Sequence, residues 1–189
     1  RADLVREAFH QTAIAEEDVG RMVDDVEAFA IEACRQNFLG ERHADRIGEA
    51  LAMALAQRGA RLLLSDIDVA GLARVVDRLV QQGCDCSAAV TDTGNEAAIH
   101  ALAHTAQERL GGADVLINNA GVSVVAPVEK LQTADAHWLM NINFWGVVHG
   151  CQAFLPQLRQ KPSALLVNVS SIFAMVSMPT QSIYNASKA

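Results

Sequence analysis

A tyrosine and a lysine four residues apart form the most chemically suggestive pair in this sequence. The stretch Tyr184-Asn185-Ala186-Ser187-Lys188 is predicted to be helical, and residues four apart on a helix share a face. A lysine ammonium beside a phenol favours the ionised form of the phenol. A phenol, whose usual pKa is about 10, could then act as a general acid or base near neutral pH. Taken alone, the pair is equally typical of a solvated helix face.

A serine and a glycine turn each follow a predicted strand. Ser171 stands thirteen positions before the tyrosine, after the apolar run 164–169, and open α/β sheets bind ligands at the carboxyl ends of their strands. A hydroxyl there could bond the substrate oxygen that Tyr184 protonates. The run 114–118 leads into Asn119-Ala120-Gly121, where small residues let backbone approach a ligand. An ordinary strand-ending turn explains that second stretch about as well.

The elements that must position these residues alternate along the chain. From about residue 45 onward, helical periods alternate with short apolar runs, which is typical of repeated strand–helix units in a parallel sheet. Strands are predicted at 61–65, 87–91, 114–118 and 164–169, and helices at 47–58, 68–82, 96–110, about 133–155 and from 182 onward. The fold class predicted is therefore α/β with a Rossmann-like, doubly wound parallel sheet.

Residues 1–39 differ from the rest because they indicate helix after helix. Helices are predicted over 2–10 and 16–36, the second with an apolar stripe of helical period: Val19, Met22, Val23, Val26, Phe29 and Ala30. No strand is predicted there. The expected organisation is a helical segment over 1–45 beside a catalytic region over 46–189.

Composition narrows the function classes. A hydrophobic content of 51% suits the core of one α/β domain. A formal charge of -7 argues against nucleic acid or an anionic membrane as partner. The apolar runs are shorter than the roughly 18 residues of a membrane span, and no secretion signal opens the chain. A cytoplasmic protein acting on small molecules is the prediction.

The cysteines do not indicate a metal site. Of Cys34, Cys84, Cys86 and Cys151, only the middle two are close in sequence, and tetrahedral zinc needs four convergent ligands. Free thiols in a reducing compartment are expected instead. His149, inside a predicted helix, is interpreted as structural and not as a base.

Four motifs stand together in the order and approximate spacing of the short-chain dehydrogenase/reductase family, which residues 46–189 resemble. They are Asn118-Asn119-Ala120-Gly121, Asn141-Ile142-Asn143-Phe144-Trp145-Gly146, Asn168-Val169-Ser170-Ser171 and Tyr184 to Lys188. The resemblance implies an oxidoreductase that transfers a hydride between a nicotinamide cofactor and a secondary alcohol or carbonyl.

The resemblance also implies roles for individual residues. Tyr184 is the general acid/base, Lys188 its activating partner and a ribose ligand, and Ser171 the residue that orients the substrate. Asn143 is implied to support a proton relay. It is chosen over Asn141 because it matches the Asn preceding the aromatic-Gly step.

Cofactor contacts follow in the same way. Asp66 closes the strand 61–65 and could accept hydrogen bonds from the adenosine ribose while repelling a 2'-phosphate, so NAD is predicted over NADP. The alternative is a solvated Asp that caps the next helix. The other implied cofactor residues are Asp92, Thr93, Asn119, Ala120, Gly121, Tyr184 and Lys188. The helices bearing Asn143 and Tyr184 usually form the subunit interface in the family, which implies a homodimer or homotetramer.

The chain departs from the family pattern at both ends. Residues 41–48 occupy the place of the glycine-rich pyrophosphate turn, and only Ile47 and Gly48 fit it. The predicted sheet is therefore incomplete, because neither its first strand with that turn nor the C-terminal substrate region is recognisable. Residues 1–39 resemble late helices of the family but precede the body, and the chain stops after Lys188 before the substrate region. A fragment, a permuted chain or pieces joined across gaps would each explain this, and Arg1 in place of Met suggests a natural start elsewhere.

Three functions remain open on these grounds. The motifs favour the oxidoreductase, whereas the unreadable phosphate turn favours a catalytically silent binding or oligomer scaffold. A protein that uses the long helix 133–155 as a dimer face is compatible with either. Steroid, sugar, acyl and xenobiotic carbonyls all remain possible substrates.

Overall fold

One parallel sheet organises the part of the chain described by a computed structural model, residues 28–32 and 46–189. Within it, five strands lie in the order β3-β2-β1-β4-β5, and every neighbouring pair is parallel. The strands are β1 (Ala28–Glu32), β2 (Arg61–Asp66), β3 (Cys86–Val90), β4 (Val115–Asn118) and β5 (Leu165–Asn168).

Helices connect these strands. They are α1 (Arg46–Ala56), α2 (Val69–Gln81), α3 (Glu96–Leu110), α4 (Thr133–Met140), α5 (Val147–Leu158) and α6 (Ser182–Lys188). A π-helical turn, Asn141–Gly146, joins α4 to α5 without a break in helical backbone. Short 3-10 turns lie at Val128–Lys130 and Ile172–Ala174.

Strand order creates a crevice in the middle of the sheet. The chain builds β2 and β3 outward from one side of β1, then crosses to build β4 and β5 outward from the other. Ligands of open α/β sheets bind at such a switch point, outside the carboxyl ends of the strands. Asp66, Asn118 and Asn168 end three of these strands at that edge.

Apolar side chains cover both faces of the sheet. Alternate strand residues point to opposite faces, so that Leu62 and Leu64 pack under α1 and α2 whereas Leu63 packs under α3 and α5. The first core holds Ala52, Leu55, Leu72, Leu79, Val115 and Ile117, and the second holds Leu102, Ala106, Leu110, Leu116, Phe154 and Leu158. Near-continuous apolar strands are typical of a sheet buried on both faces.

From residue 46 onward the predicted elements are confirmed, with bounds within three residues. Gly111 caps α3 with a φ of +74°, and Gly59, in the turn after α1, has a φ of +81°, a conformation that costs glycine little. Asp68 caps α2, since its Oδ2 accepts a hydrogen bond from Gly71 N at 3.0 Å. No helix of the described residues is long and apolar enough to cross a membrane.

The helix predicted over 16–36 is wrong at Ala28–Glu32, which is the central strand β1. Phe29 pairs in register with Leu62 on one side and Val115 on the other. The sheet's first strand is therefore present, contrary to the expectation that it is not recognisable. In an apolar run of this length, periodicity alone does not distinguish a buried strand from the apolar face of a helix. Pairing with the neighbouring strands determines that the segment is a strand.

The remaining predictions for residues 1–45 lie outside the described residues. They comprise the helix over 2–10, the rest of the helix over 16–36 and the segment 41–45 in the place of the phosphate turn.

Candidate active site

Helix α6 is docked on the segment that follows β5. Lys188 Nζ donates a hydrogen bond to Val169 O at 2.9 Å. In the reverse direction, Ser170 Oγ donates to Lys188 O at 3.1 Å. Two bonds from opposite sides of this contact fix the last turn of α6 at the carboxyl end of the sheet.

Tyr184 faces the turn that Ser171 begins. The Tyr184 ring meets the Phe173 ring edge-on, with centroids 6.1 Å apart. Ser171 begins the Ile172–Ala174 turn, and its Oγ accepts a hydrogen bond from Phe173 N at 3.2 Å. The fold thus brings the elements carrying the predicted serine and tyrosine into contact. Both residues are half-buried.

Lys188 lies against the glycine turn that follows β4. A Cβ placed on Gly121 would stand 3.3 Å from Lys188 Nζ, which is tighter than ordinary side-chain contact, and 3.6 Å from Asn143 Oδ1, which is an ordinary contact distance. A side chain at this position would press on the Lys188 ammonium. Burial lowers the pKa of Lys188, because a low-dielectric setting disfavours the charged ammonium.

Asn143 ties the loop after β4 to α6. Its Oδ1 accepts from Val122 N at 2.7 Å, and its Nδ2 donates to Val122 O at 2.8 Å and to Ser187 Oγ at 3.0 Å. Ser187 Oγ in turn donates to Tyr184 O at 2.8 Å. Asn143 is 3% exposed, whereas Asn141 is exposed to solvent. The structure therefore places Asn143, and not Asn141, inside the site.

The π-helical turn gives Asn143 its place. Such turns occur as single insertions in α-helices and are frequent at functional sites. Gly146 in this turn lies so close to the loop after β3 that a Cβ on it would be 2.9 Å from Thr93 O. Thr93 is buried, and Asp92 Oδ1 accepts from Gly94 N at 2.9 Å. The predicted adenine-side residues thus rest on the helix that carries Asn143.

Asp66 is a buried carboxylate at the end of β2. It is 7% exposed, and its Oδ1 accepts from Asp68 N at 2.8 Å. The alternative of a solvated cap for the next helix is wrong, because Asp68 caps α2. The remaining predicted cofactor residues after β4 are Asn119, half-buried, and Ala120, 4% exposed.

Ile47 and Gly48 lie in the first turn of α1. Ile47 is 56% exposed, whereas Gly48 is buried. The residues of the predicted phosphate turn before them are outside the described part of the chain.

An asparagine pair joins the ends of β4 and β5, and sequence reasoning gave it no role. Asn118 and Asn168 are register partners, and Asn118 Nδ2 donates to Asn168 Oδ1 at 2.7 Å. A Cβ on Gly150 of α5 would lie 2.5 Å from Asn118 Oδ1. The only signal in the sequence is that a polar residue ends each apolar strand.

Two of the thiols lie away from this site, whereas Cys151 lies beside the asparagine pair, where its Sγ accepts a hydrogen bond from Asn118 Nδ2 at 3.7 Å. Cys84 and Cys86 are free thiols, and no group of three or more His, Cys, Asp or Glu among the described residues could hold a metal. Burial, with lesser effects from Cys84 and Asp85, raises the pKa of Cys86 to about 12. His149 stacks on Trp145 with ring centroids 5.9 Å apart.

Comparison with known proteins identifies the family. The model of the short chain dehydrogenase family matches residues 43–189. A putative oxidoreductase, SadH, of Mycobacterium tuberculosis is 36% identical over 142 residues, 75% of this chain and 51% of that protein. The 1-deoxy-11-beta-hydroxypentalenate dehydrogenase of Streptomyces avermitilis is 41% identical over 149 residues, 77% of this chain and 55% of that protein.

Solved structures agree in fold. A short chain dehydrogenase/reductase from Burkholderia phymatum, in complex with NAD, is 33% identical with a TM-score of 0.77, covering 87% of this chain and 56% of that one. Levodione reductase is 27% identical with a TM-score of 0.76, covering 86% and 60%. The chain thus spans about half the length of the curated relatives described above.

Proposed function

Because the chain belongs to the short-chain dehydrogenase family, we propose that it is an oxidoreductase interconverting a secondary alcohol and a carbonyl compound with a nicotinamide cofactor. The observation that carries the proposal is the joint placement of Tyr184, Lys188 and Ser171. One helix presents the first two, and its last turn is bonded to the segment after β5 that leads to the third.

Tyr184 is proposed to move the proton. In alcohol oxidation its oxygen takes the hydroxyl proton of the substrate, and in carbonyl reduction its hydroxyl returns it. The bound nicotinamide ring would supply or accept the hydride. Lys188, anchored on Val169 O at 2.9 Å, provides a cation on the same helix face that stabilises the phenolate. Ser171 is proposed to hold the substrate oxygen by a hydrogen bond.

In this proposal Asn143 is a positioning residue, which acts on the site through the residues that it bonds. Its bonds to both backbone groups of Val122 and to Ser187 set the distance between the glycine turn and α6. The relay role implied by the family would run through this amide.

The cofactor is proposed to lie across the carboxyl ends of β2, β1 and β4. The fit rests on two observations: the bare Cα of Gly121 facing Lys188 Nζ, where a Cβ would crowd the site, and the buried acceptor of Asp66 at the end of β2. Asp66 would bind the adenosine ribose, and Asp92 with Thr93 would line the adenine. Asn119, Ala120 and Gly121 would form the adenosine-side wall, and Tyr184 and Lys188 would bind the nicotinamide ribose.

NAD is proposed as the preferred cofactor. A carboxylate within hydrogen-bond reach of the ribose repels a 2'-phosphate and accepts a hydrogen bond from a 2'-hydroxyl. The Burkholderia phymatum relative was solved with NAD, which supports the same choice for this chain.

A homodimer or homotetramer is proposed, formed by the long helix. Trp138, Phe144 and Trp145 on this helix are 43 to 48% exposed, and aromatic side chains are enriched in the cores of protein interfaces. Sedimentation analysis tests this proposal, and a strictly monomeric chain at micromolar concentration would contradict it.

A cytoplasmic location is proposed on the strength of the thiols. Cys84 and Cys86 are free thiols, as expected in a reducing compartment. Disulfide-linked Cys84 or Cys86 in protein taken from cells would argue against it.

Isotope transfer tests the reaction itself. The chain is incubated with NAD and a secondary alcohol deuterated at its carbinol carbon, and the reduced cofactor is analysed by mass spectrometry. Deuterium on the nicotinamide ring is the expected result. Its absence with every alcohol tried, while the cofactor still binds, would favour the silent scaffold instead.

A further inference from the structure

Two uncharged polar side chains meet beside Tyr184 and have no part in the proposed proton transfer. Ser123 Oγ donates to Gln181 Oε1 at 3.0 Å, across 58 residues of sequence. Both residues are half-buried. The bond joins the loop after β4 to the start of α6.

The backbone around Gln181 is held from several directions. Gln181 O accepts a hydrogen bond from Asn185 N at 2.8 Å. With the Asn185 amide oriented to satisfy both neighbours, its nitrogen donates to Gln181 O at 3.1 Å and its oxygen accepts from Met178 N at 3.0 Å. Position 181 is therefore well fixed for a residue at a helix start.

Thr180, which precedes Gln181, has a strained backbone conformation. Its φ is +67°, a left-handed backbone conformation that is unfavourable for a residue other than glycine. Thr180 O accepts from Ala126 N at 3.0 Å, a contact that ties the 178–181 segment to the loop carrying Ser123. Strain of this kind persists only where the surroundings over-determine it, and it clusters at ligand sites.

The pair lies close to the reacting centre. Gln181 stands three residues before Tyr184, and residues three apart at a helix turn are about 5–6 Å apart at Cβ. Ser123 directly follows Val122, which Asn143 clamps and which packs in one apolar cluster with Tyr184. A group bound by the pair would thus sit next to the substrate carbon on which Tyr184 acts.

The chemistry of the pair selects for a neutral oxygen. Within the described residues, Gln181 Nε2 has no hydrogen-bond partner, and an amide nitrogen is a donor of two hydrogens. The Ser123 hydroxyl adds acceptor lone pairs. Neither carries charge, so a hydroxyl or carbonyl suits them better than a carboxylate, which prefers a cationic partner.

We propose that Ser123 and Gln181 form a second polar anchor that recognises an uncharged oxygen one or two carbons from the reacting carbon. The substrate class would then be hydroxyketones, or the corresponding diols, in preference to simple ketones and to keto acids. The proposal rests on the oxidoreductase function proposed above and narrows its substrate.

Three small ketones test the anchor: butanone, 3-hydroxybutanone and pyruvate. Their kcat/KM values with NADH are compared in the 189-residue chain, in Ser123→Ala and in Gln181→Met, which keeps side-chain length but loses the amide. Ser177→Ala and Gln152→Met, both at exposed positions, are the matched controls. Binding of each ketone is followed in parallel by saturation-transfer NMR, with and without NADH.

The unaltered chain should prefer 3-hydroxybutanone to butanone by about 10-fold or more, as one added hydrogen bond in a half-buried site allows. Gln181→Met and Ser123→Ala should each remove most of that ratio, and the controls should keep it. Three results with measurable turnover would overturn the anchor but not the oxidoreductase function. They are equal kcat/KM for butanone and 3-hydroxybutanone, a preference for 3-hydroxybutanone that is undiminished in both variants, and a preference for pyruvate. Selective binding of 3-hydroxybutanone that both variants lose, without any turnover, would instead support the anchor and refute the oxidoreductase.

Discussion

The two sides of the crevice are held together in different ways. On the β2–β3 side, polar side chains bond to backbone two residues away: Asp66 to Asp68 N and Asp92 to Gly94 N. On the β4–β5 side the bonds span long stretches of sequence, 21 and 44 residues for Asn143 and 58 for Ser123. The proposed adenosine side thus contains local side-chain bonds, whereas the side-chain bonds of the proposed catalytic side form only once distant parts of the chain have folded together.

That contrast predicts different consequences of substitution. A change on the local side should alter what binds there with little effect elsewhere. A change on the long-range side should lower both stability and turnover, because the Asn143 amide bonds both the loop after β4 and helix α6.

Asn143→Ala should show the largest combined effect. It removes partners from Val122 and from Ser187, and buried groups left without partners cost about 1 to 3 kcal/mol each. We expect the free energy of unfolding to fall by about 2 to 4 kcal/mol, and kcat/KM to fall roughly 100-fold from misplacement of α6. Urea denaturation and steady-state kinetics measure the two.

Asn141→Ala is the matched control for that substitution. Asn141 begins the same π-helical turn but is exposed to solvent. Its substitution should therefore change the free energy of unfolding by less than about 0.5 kcal/mol. Equal effects of the two substitutions would contradict the claim that the buried Asn143 amide helps to hold the loop against the helix.

Gly150→Ala should disturb the strand-end asparagine pair. Its Cβ would lie 2.5 Å from Asn118 Oδ1, and forced packing of this kind costs about 1 to 3 kcal/mol, less the gain in helix propensity of up to about 1 kcal/mol. Thermal unfolding checks the net loss. An unchanged or raised Tm would mean that Asn118 can move aside at no cost.

The long-range character of this side also limits what the sequence could predict. From residue 46 onward, apolar runs and caps such as Asp68 and Gly111 define the strands and helices, so the strand end at Asp66 and the position of Ser171 just after a strand were predictable. β1 was not, because five residues with an apolar centre suit a helix stripe as well as a buried strand. The contacts of Asn143, Gly150 and Gln181 have no local signal, since their partners lie 21 to 58 residues away or approach only through tertiary packing.

Asp66→Ala should have a more confined effect on the local side. Loss of a charged acceptor for the ribose should narrow any preference for NAD over NADP by about 10-fold, with kcat at saturating cofactor nearly unchanged. Ratios of kcat/KM for the two cofactors measure it.

Asp68→Ala is the control for Asp66→Ala, since it removes the α2 cap. It should cost about 1 kcal/mol of stability and leave the cofactor ratio as it was. A ratio that shifts equally in both variants would show that the helix start, and not the Asp66 carboxylate, sets the preference.

Modification of Cys86 should have the smallest effect on function, because this residue begins β3 at the amino end of the strands, away from both sides of the crevice. Its pKa is raised from 9.0 to about 12, so above about pH 9 the unfolded chain loses this proton first and stability falls as the pH rises. Alkylation by iodoacetamide near pH 9 should be at least about 100-fold slower in the folded chain than in urea. Comparable rates in the two states would contradict the burial of this thiol.

The central claim is that Tyr184 carries the proton, and Tyr184→Phe tests it most directly. The substitution removes one oxygen and keeps the ring that packs on Phe173. Single-turnover reduction of a ketone should be about 1000-fold slower. The cofactor Kd, measured in parallel by fluorescence titration, should rise by no more than about 10-fold, the loss of one hydrogen bond to the ribose. A Tyr184→Phe chain that reduces the ketone at the original rate would contradict the account.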